Sequence, residues 1–482
     1  MKTLILAVAL TLLAFGCDDG FLDRNPPASL IEENFYQTAN DAISAVNAVY
    51  APLQLAAFYN RDYPVLVEPL SDDVELTNTQ GTIFNTFAFS TAESQLSEVW
   101  EAAYEGVFRA NLVLQQLPEI EMDEDLKERL LGEARFLRAF YYWHITTLWG
   151  DVPLITQADP DNPDAAKVPK SPQSEVYALM ISDLQAAAEV LPLEYGSTDV
   201  GRATKGAAQA LLGKVYLYNE QYAEAEASLK QVIESGVYDL IPDYGDLFLE
   251  SNENSRESVF ELQYMDVGGN AWAEEDGPNA NESSVRANLN LPNGYGGFGN
   301  HLPTQDLIDE YEAGDPRLAV SVWKEGDAYD PGSAKGEPET YSGSWSLTGY
   351  NVKKGMVPIE PNDTSVGVNW PLIRFADVLL MYAEAANANG NQAAATEAIN
   401  RVRARVGLAA IPGGLGQQEV FEAIVHERRV ELAFEYHRYN DLRRWGLAEE
   451  KLAGYDPSKH RYFPIPQSEL DVNQELQQNP GY

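Results

Sequence analysis

Residues 206–236 read GAAQALLGKVYLYNEQYAEAEASLKQVIESG. Within them Gly213, Tyr216, Ala225, Leu229 and Val232 are separated by 3, 9, 4 and 3 residues. Apolar residues three and four apart share one face of a helix, and the nine-residue step carries the chain through a turn into a second helix. A glycine at 213 lets two antiparallel helices approach closely, and Tyr216, one turn later, fills the gap beside it. The same offsets return at Ala383, Ala386, Ala395, Ile399 and Val402, with Asn389-Gly390-Asn391 at the turn.

This is the spacing of a tetratricopeptide helix pair, and two such pairs predict an all-α scaffold of stacked helical hairpins. Outward from them, Leu126, Leu130, Ala134, Leu137, Tyr141, Ile145 and Leu148 predict one long amphipathic helix, capped by Asp123 and stopped at Gly150. The region from about Trp100 to Gly150 supplies a further, less regular pair. A helix is also predicted behind Ser171-Pro172, with the proline at its first position, ending near Leu191 before Pro192. Helix returns from Ile373 to Val406 and from Gln417 to about Trp445. The final run from Tyr462 to Tyr482 is punctuated by proline and reads as extended chain draped over the scaffold. Between Asn252 and Pro371 the composition turns to Gly, Asn, Pro, Ser and aromatics, with short β-like runs at Ser258 to Tyr264 and Leu318 to Trp323. So long a stretch is not an idle connection, and function is expected there.

The 482 residues carry 74 acidic side chains against 33 basic ones, a formal charge of −41. With 45% hydrophobic and 11% aromatic residues the chain can fill a large core, which excludes disorder as a description of the whole. The negative field disfavours nucleic acids and other polyanions, leaving a neutral or cationic ligand. At the N-terminus Lys2 is followed by an uncharged run from Leu4 to Phe15, too short to span a bilayer. The run ends in Leu13-Ala14-Phe15-Gly16-Cys17, which resembles a bacterial lipoprotein signal in which Cys17 is acylated, with Ala14 where a branched apolar residue is usual. As the only cysteine, Cys17 forms no internal disulfide. No other stretch reaches 18 consecutive apolar residues. The expected organisation is a signal peptide over 1–16, an N-terminal helical region over 17–250, a variable loop-rich region over 251–371 and a C-terminal helical region over 372–482.

Several motifs, in order along the mature chain, then become specific. They are Cys17-Asp18-Asp19-Gly20-Phe21-Leu22-Asp23 with Pro26, Arg135-Phe136-Leu137-Arg138-Ala139-Phe140-Tyr141-Tyr142 leading to Trp149-Gly150-Asp151-Val152-Pro153-Leu154, and Asp315-Pro316-Arg317-Leu318. Next come Leu372-Ile373-Arg374-Phe375-Ala376-Asp377 running on to Asn387, Glu427-Arg428-Arg429-Val430-Glu431-Leu432-Ala433-Phe434-Glu435, Arg438-Tyr439-Asn440-Asp441-Leu442-Arg443-Arg444-Trp445, and the closing Phe463-Pro464-Ile465-Pro466 and Gln478-Asn479-Pro480-Gly481-Tyr482. Together they resemble the SusD/RagB family of glycan-binding surface lipoproteins. The resemblance implies a tetratricopeptide-like, SusD-like scaffold, lipidation at Cys17, outer-membrane anchoring facing the cell exterior, and a SusC-like TonB-dependent transporter as partner. Asp18 and Asp19 are similar to the acidic signal that sends such lipoproteins outward. The charged landmark residues read as structural: Arg428, Arg429, Glu431 and Glu435 are expected to form ion pairs along one helix and with neighbouring turns.

A neutral glycan needs exposed flat rings with polar groups at their edges. The aromatic and polar residues outside the helical periods are therefore the candidates: Trp272, Trp345, Tyr341 and Tyr295 in the variable region, and Tyr59, Arg61, Asp73 and Asn78 in the loop near Phe58 to Phe89. The resemblance implies binding from these same two regions. Trp100, Trp143, Trp149, Trp323 and Trp445 read as packing residues. Gly294 to Gly299 matches G-x-G-x-x-G but follows Pro292-Asn293 instead of a strand, and no zinc-protease, nucleophile-elbow or P-loop motif occurs. Asp159, Asp161 and Asp164 are interrupted by prolines and read as a solvated turn. The expectation is a non-enzymatic glycan-binding protein with no cofactor and no metal. The alternative is a helical-repeat envelope lipoprotein that binds peptides or glycopeptides or scaffolds envelope assembly.

Overall fold

Asp123 opens the long helix as its position predicts, its side chain accepting from Leu126 N at 3.0 Å, and Gly150, with φ of 76°, ends it. In this computed structural model, which describes residues 35–76, 79–265, 272, 283–293, 297–329, 339–356 and 366–482, that helix is one of a continuous array. We number the principal helices α1 (Ala39–Tyr50), α2 (Ser94–Gln116), α3 (Glu124–Trp149), α4 (Gln173–Val190), α5 (Lys205–Tyr218), α6 (Tyr222–Glu234), α7 (Phe375–Ala388), α8 (Gln392–Arg405), α9 (Gln417–Glu431) and α10 (Arg438–Arg444). From α2 to α6 each packs on the next, α6 packs on α7, and α7 on α8 and α9. Both hairpins read from spacing are present as α5/α6 and α7/α8, and α2/α3 is the third. Close approach has the predicted cause: a Cβ at Gly213 would lie 2.5 Å from Leu229 Cγ.

The variable region leaves and re-enters this array at one place. β1 (Ser258–Leu262) and β2 (Trp370–Arg374) pair antiparallel, with register from Trp370↔Leu262 to Arg374↔Ser258. One hydrophobic core runs from Ala42 to Leu476, so the N-terminal and C-terminal helical regions share an interior. The stretch Ala39–Asn60 is long and apolar enough to cross a membrane, but it is largely buried within that core. The final run is draped as expected. Trp149 Nε1 donates to Pro464 O at 2.9 Å, while Asn479 Nδ2 donates to Trp149 O at 2.9 Å and Phe463 O at 2.7 Å.

Three local expectations are corrected. Leu318 to Trp323 is mostly helix, Pro316–Ser321, because Asp315 caps Arg317 N and Pro316 sits in the first turn; only Val322–Trp323 is strand. Pro172 stands at the cap of α4 and not inside it. The predicted helix from Gln417 to Trp445 is broken at 432–437, where Phe434 and Tyr436 adopt positive φ of 64° and 67°. The break frees backbone groups for buried charges. Lys354 Nζ takes Glu431 O at 3.1 Å and Ala433 O at 2.8 Å, and Tyr436 N donates to Glu68 Oε1 at 2.8 Å.

The landmark charges are structural, but Arg428, Arg429, Glu431 and Glu435 pair with other elements and not with one another. Arg374 Nη1 meets Glu431 Oε1 at 2.6 Å and Glu257 Oε1 at 2.9 Å, and its Nε meets Glu435 Oε2 at 2.7 Å. Arg317 pairs with Asp315, Glu427 and Glu431, and Arg428 with Asp377 and Asp441. The reason is burial: a charge without water must meet its partner across the packed interior.

His426, on α9, stands at the edge of this lattice, Nδ1 2.6 Å from Glu310 Oε1 and Nε2 3.4 Å from Glu312 Oε1. The hydrogen bond to Glu310 holds its pKa above the usual imidazole value, against the opposing effect of burial. Its stabilisation is therefore complete below about pH 6.5 and is lost as pH rises through the folded value. Thermal melts should show that His426→Gln loses less stability than the native chain between about pH 6 and pH 9. Parallel pH curves would contradict this.

Candidate glycan-binding site

The short helix Arg286–Asn290 organises the described part of the variable region. Ala287 and Leu291 pack into a cluster with Trp323, Tyr329, Tyr341 and Val366, against which Trp345 rests half-buried. Val285 and Leu289, displaced by two positions and so on the other side of the helix, carry Trp272. The two tryptophans favoured from sequence therefore flank one helix. Trp272 faces Phe298 with ring centroids 6.0 Å apart, and Phe298 is 53% exposed.

Two short antiparallel pairings, Val322–Trp323 with Asn351–Val352 and Ala328–Tyr329 with Glu339–Thr340, hold the other cluster. The tip between them makes a single helical turn at Gly343–Trp345. It is fixed by Gly343 N donating to Glu325 Oε2 at 2.7 Å. Trp345 meets Tyr341 and Tyr329 edge-on at 5.2 and 5.3 Å, and Leu347 beside it is 85% exposed. Tyr350 OH donates to Gln305 Oε1 at 2.8 Å. Nearby His301 is buried, with Nδ1 2.8 Å from Asn290 Oδ1, and burial holds its pKa down to about 3, so it is neutral.

Three candidates lie inside the protein and offer no ring face or free edge. Tyr341 is fully buried, its hydroxyl donating to Asn351 Oδ1 at 2.7 Å. Tyr59 is buried with its hydroxyl 2.6 Å from His144 Nε2. Asp73, also buried, accepts from Arg429 Nε at 2.7 Å. Local sequence does not show these burials because each partner lies elsewhere in the chain. Arg61 stays part-exposed and ion-paired with Asp62 and Glu98 at 2.7 and 3.0 Å. Burial pushes Asp62 up to about 8 in spite of Arg61. Asn78, Tyr295 and Cys17 fall outside the described residues. Phe298 is one of the aromatic residues that the variable region offers in sequence; Leu347 is the addition of the structure, and its signal in sequence is a large apolar residue among Ser, Thr and Gly. Among the described residues no three His, Cys, Asp or Glu side chains group to hold a metal ion. Asp164 pairs with Lys167 at 2.6 Å, and Asp159 Oδ1 accepts from Asn162 N at 3.2 Å.

The arrangement can stack a sugar ring on an exposed aromatic face and grip its hydroxyls from short loops. Comparison with known proteins gives one consistent picture. Residues 256–460 match the model of the SusD family, and residues 20–217 match a model described as starch-binding associating with outer membrane. A SusD-like protein of Formosa agariphila is 30% identical over the whole of both chains. A crystal structure of a SusD-like protein of Bacteroides fragilis superposes with a TM-score of 0.81 at 27% identity, covering 95% of this chain and 100% of that one. A laminarin-binding SusD-like protein superposes with a TM-score of 0.80 at 29% identity, covering 93% and 100%.

Proposed function

The chain belongs to the SusD/RagB family, and from that premise we propose that it is a non-catalytic lipoprotein of the outer cell surface. It captures an oligosaccharide or polysaccharide and delivers it to a SusC-like TonB-dependent transporter, held to the outer membrane by acylated Cys17. The observation that carries this reading is the pair of aromatic edges, Trp345 with Leu347 and Trp272 with Phe298, presented from a loop-rich region on a rigid helical array. Stacking on such edges and hydrogen bonds at the rim supply affinity, and proximity to the transporter mouth raises the effective concentration of captured glycan.

The test is calorimetric titration of the full-length chain in detergent with laminarin, starch and other oligosaccharides, together with an assay for new reducing ends. One glycan class should bind without being cleaved, and Trp345→Ala or Trp272→Ala should weaken it about tenfold. No heat with any sugar, or release of reducing ends, would overturn the reading. Heat with peptides instead would favour the helical-repeat alternative.

A further inference from the structure

We infer that a second cleft, apart from the aromatic region, binds the carboxylate of an acidic saccharide, a uronic acid unit. The cleft has a volume of 480 Å³ and lies where Tyr218 and Tyr222, at the bend between α5 and α6, face the run from Arg443 to Arg461. Its charges run against the composition of the chain. With 74 acidic side chains for 33 basic ones, an arginine here readily finds a carboxylate, as Arg444 does with Glu384 and with Asp441 at 2.8 Å.

Arg443 and Arg461 line the same cleft and form no ion pair among the described residues. Arg443 donates only to neutral oxygens: Arg461 O at 2.6 Å, Thr147 O at 3.0 Å and Asn440 Oδ1 at 2.5 Å. Its Nε is buried without a hydrogen-bond partner. The exposed Arg461 guanidinium lies 5.7 Å from the centroid of the Tyr462 ring. Because Arg443 Nη1 donates to the backbone carbonyl of Arg461, the two residues meet at the wall of one cleft.

The exposed Arg461 guanidinium, a fork without a counter-ion, is complementary to a planar carboxylate, and Arg443 beside it adds a second positive charge whose own donors are largely taken. Half-buried Tyr222 and Trp445 add flat faces for the attached ring. Exposed Glu220 and Glu449 also line the cleft, so the carboxylate belongs by the arginines and a neutral part of the sugar by the glutamates. The overall negative field does not forbid this, because screening over about 8 Å at physiological ionic strength leaves the local pairs to decide.

The experiment titrates the full-length chain at physiological ionic strength with tetragalacturonate, with its methyl ester and with tetraglutamate. The acid should bind at least about tenfold more tightly than the ester, the worth of a charge-assisted pair. Arg461→Ala should erase that preference and Arg461→Lys restore part of it, with neutral-glycan binding unchanged in both. Equal affinity for acid and ester, or a preference that survives Arg461→Ala, would overturn the inference. Tetraglutamate binding as well as the sugar would overturn the saccharide assignment. Loss of galacturonate binding in Trp345→Ala would overturn its location. Failure of the aromatic region to bind any neutral glycan would leave this result standing on its own.

Discussion

Replacing Glu431 by Ala is expected to cost about 3–5 kcal/mol of folding stability, the scale for removing one partner from a buried ionic cluster. The carboxylate is fully buried. It is shared by Arg374 at 2.6 Å, Arg317 at 3.0 Å and Arg405. Removing it leaves cations of three elements facing one another in the interior, where water cannot reach them. Urea unfolding near neutral pH reads the loss as a lower midpoint at unchanged slope. A loss below about 1 kcal/mol, the range of exposed pairs, would contradict the burial described here. The same side chain predicts acid sensitivity. Burial alone would raise its pKa, but Arg405, Arg374 and Arg317 overcome this and hold it well below the usual carboxylate range. Its contribution is therefore present above about pH 4.5 and is lost as pH falls through the folded value. The native chain should lose more stability than the alanine variant over that acid range.

Gly106→Ala is expected to cost about 3 kcal/mol, at the upper end for inserting one carbon into a packed core. A Cβ at 106 would penetrate the ring of Tyr141 on the facing helix. Tyr141 cannot easily yield: it is fully buried, and its hydroxyl donates to Val49 O at 2.7 Å. Relief must come from parting α2 from α3, which opens the core along both helices. Glycine is otherwise a poor helix interior residue, so alanine at an unconstrained site would stabilise by about 0.8–1.0 kcal/mol. The sign of the change thus decides whether close approach is real, and thermal unfolding of the single variant measures it. A gain would contradict the packing of the third hairpin.

The helical array was legible in the sequence because its signal is local. Gly213, Tyr216, Ala225 and Leu229 lie within one hairpin, and Asp123 and Gly150 mark the ends of α3 by their own chemistry. The break at 432–437 was not legible, because its causes, Lys354 and Glu68, stand far away in the chain and enter only when packed. The same holds for the candidate site. Trp272 and Trp345 lie in polar, glycine-bearing sequence and come to rest half-buried beside one helix. Tyr341, Tyr59 and Asp73 read alike from their neighbours, yet each is claimed by a distant partner: Asn351 across a small β pairing, His144 on α3, and Arg429 on α9.

The clasp made by Asn479 has a bearing on how the chain comes into being. That side chain holds the carbonyl of Trp149, 330 residues earlier, and Phe463, whose own N donates to Leu148 O at 2.9 Å. Contacts of such span are slow to form, since a long loop must close before they return anything. The end of α3 is therefore expected to complete its packing late in folding, after the run from Phe463 to Asn479 has closed on it.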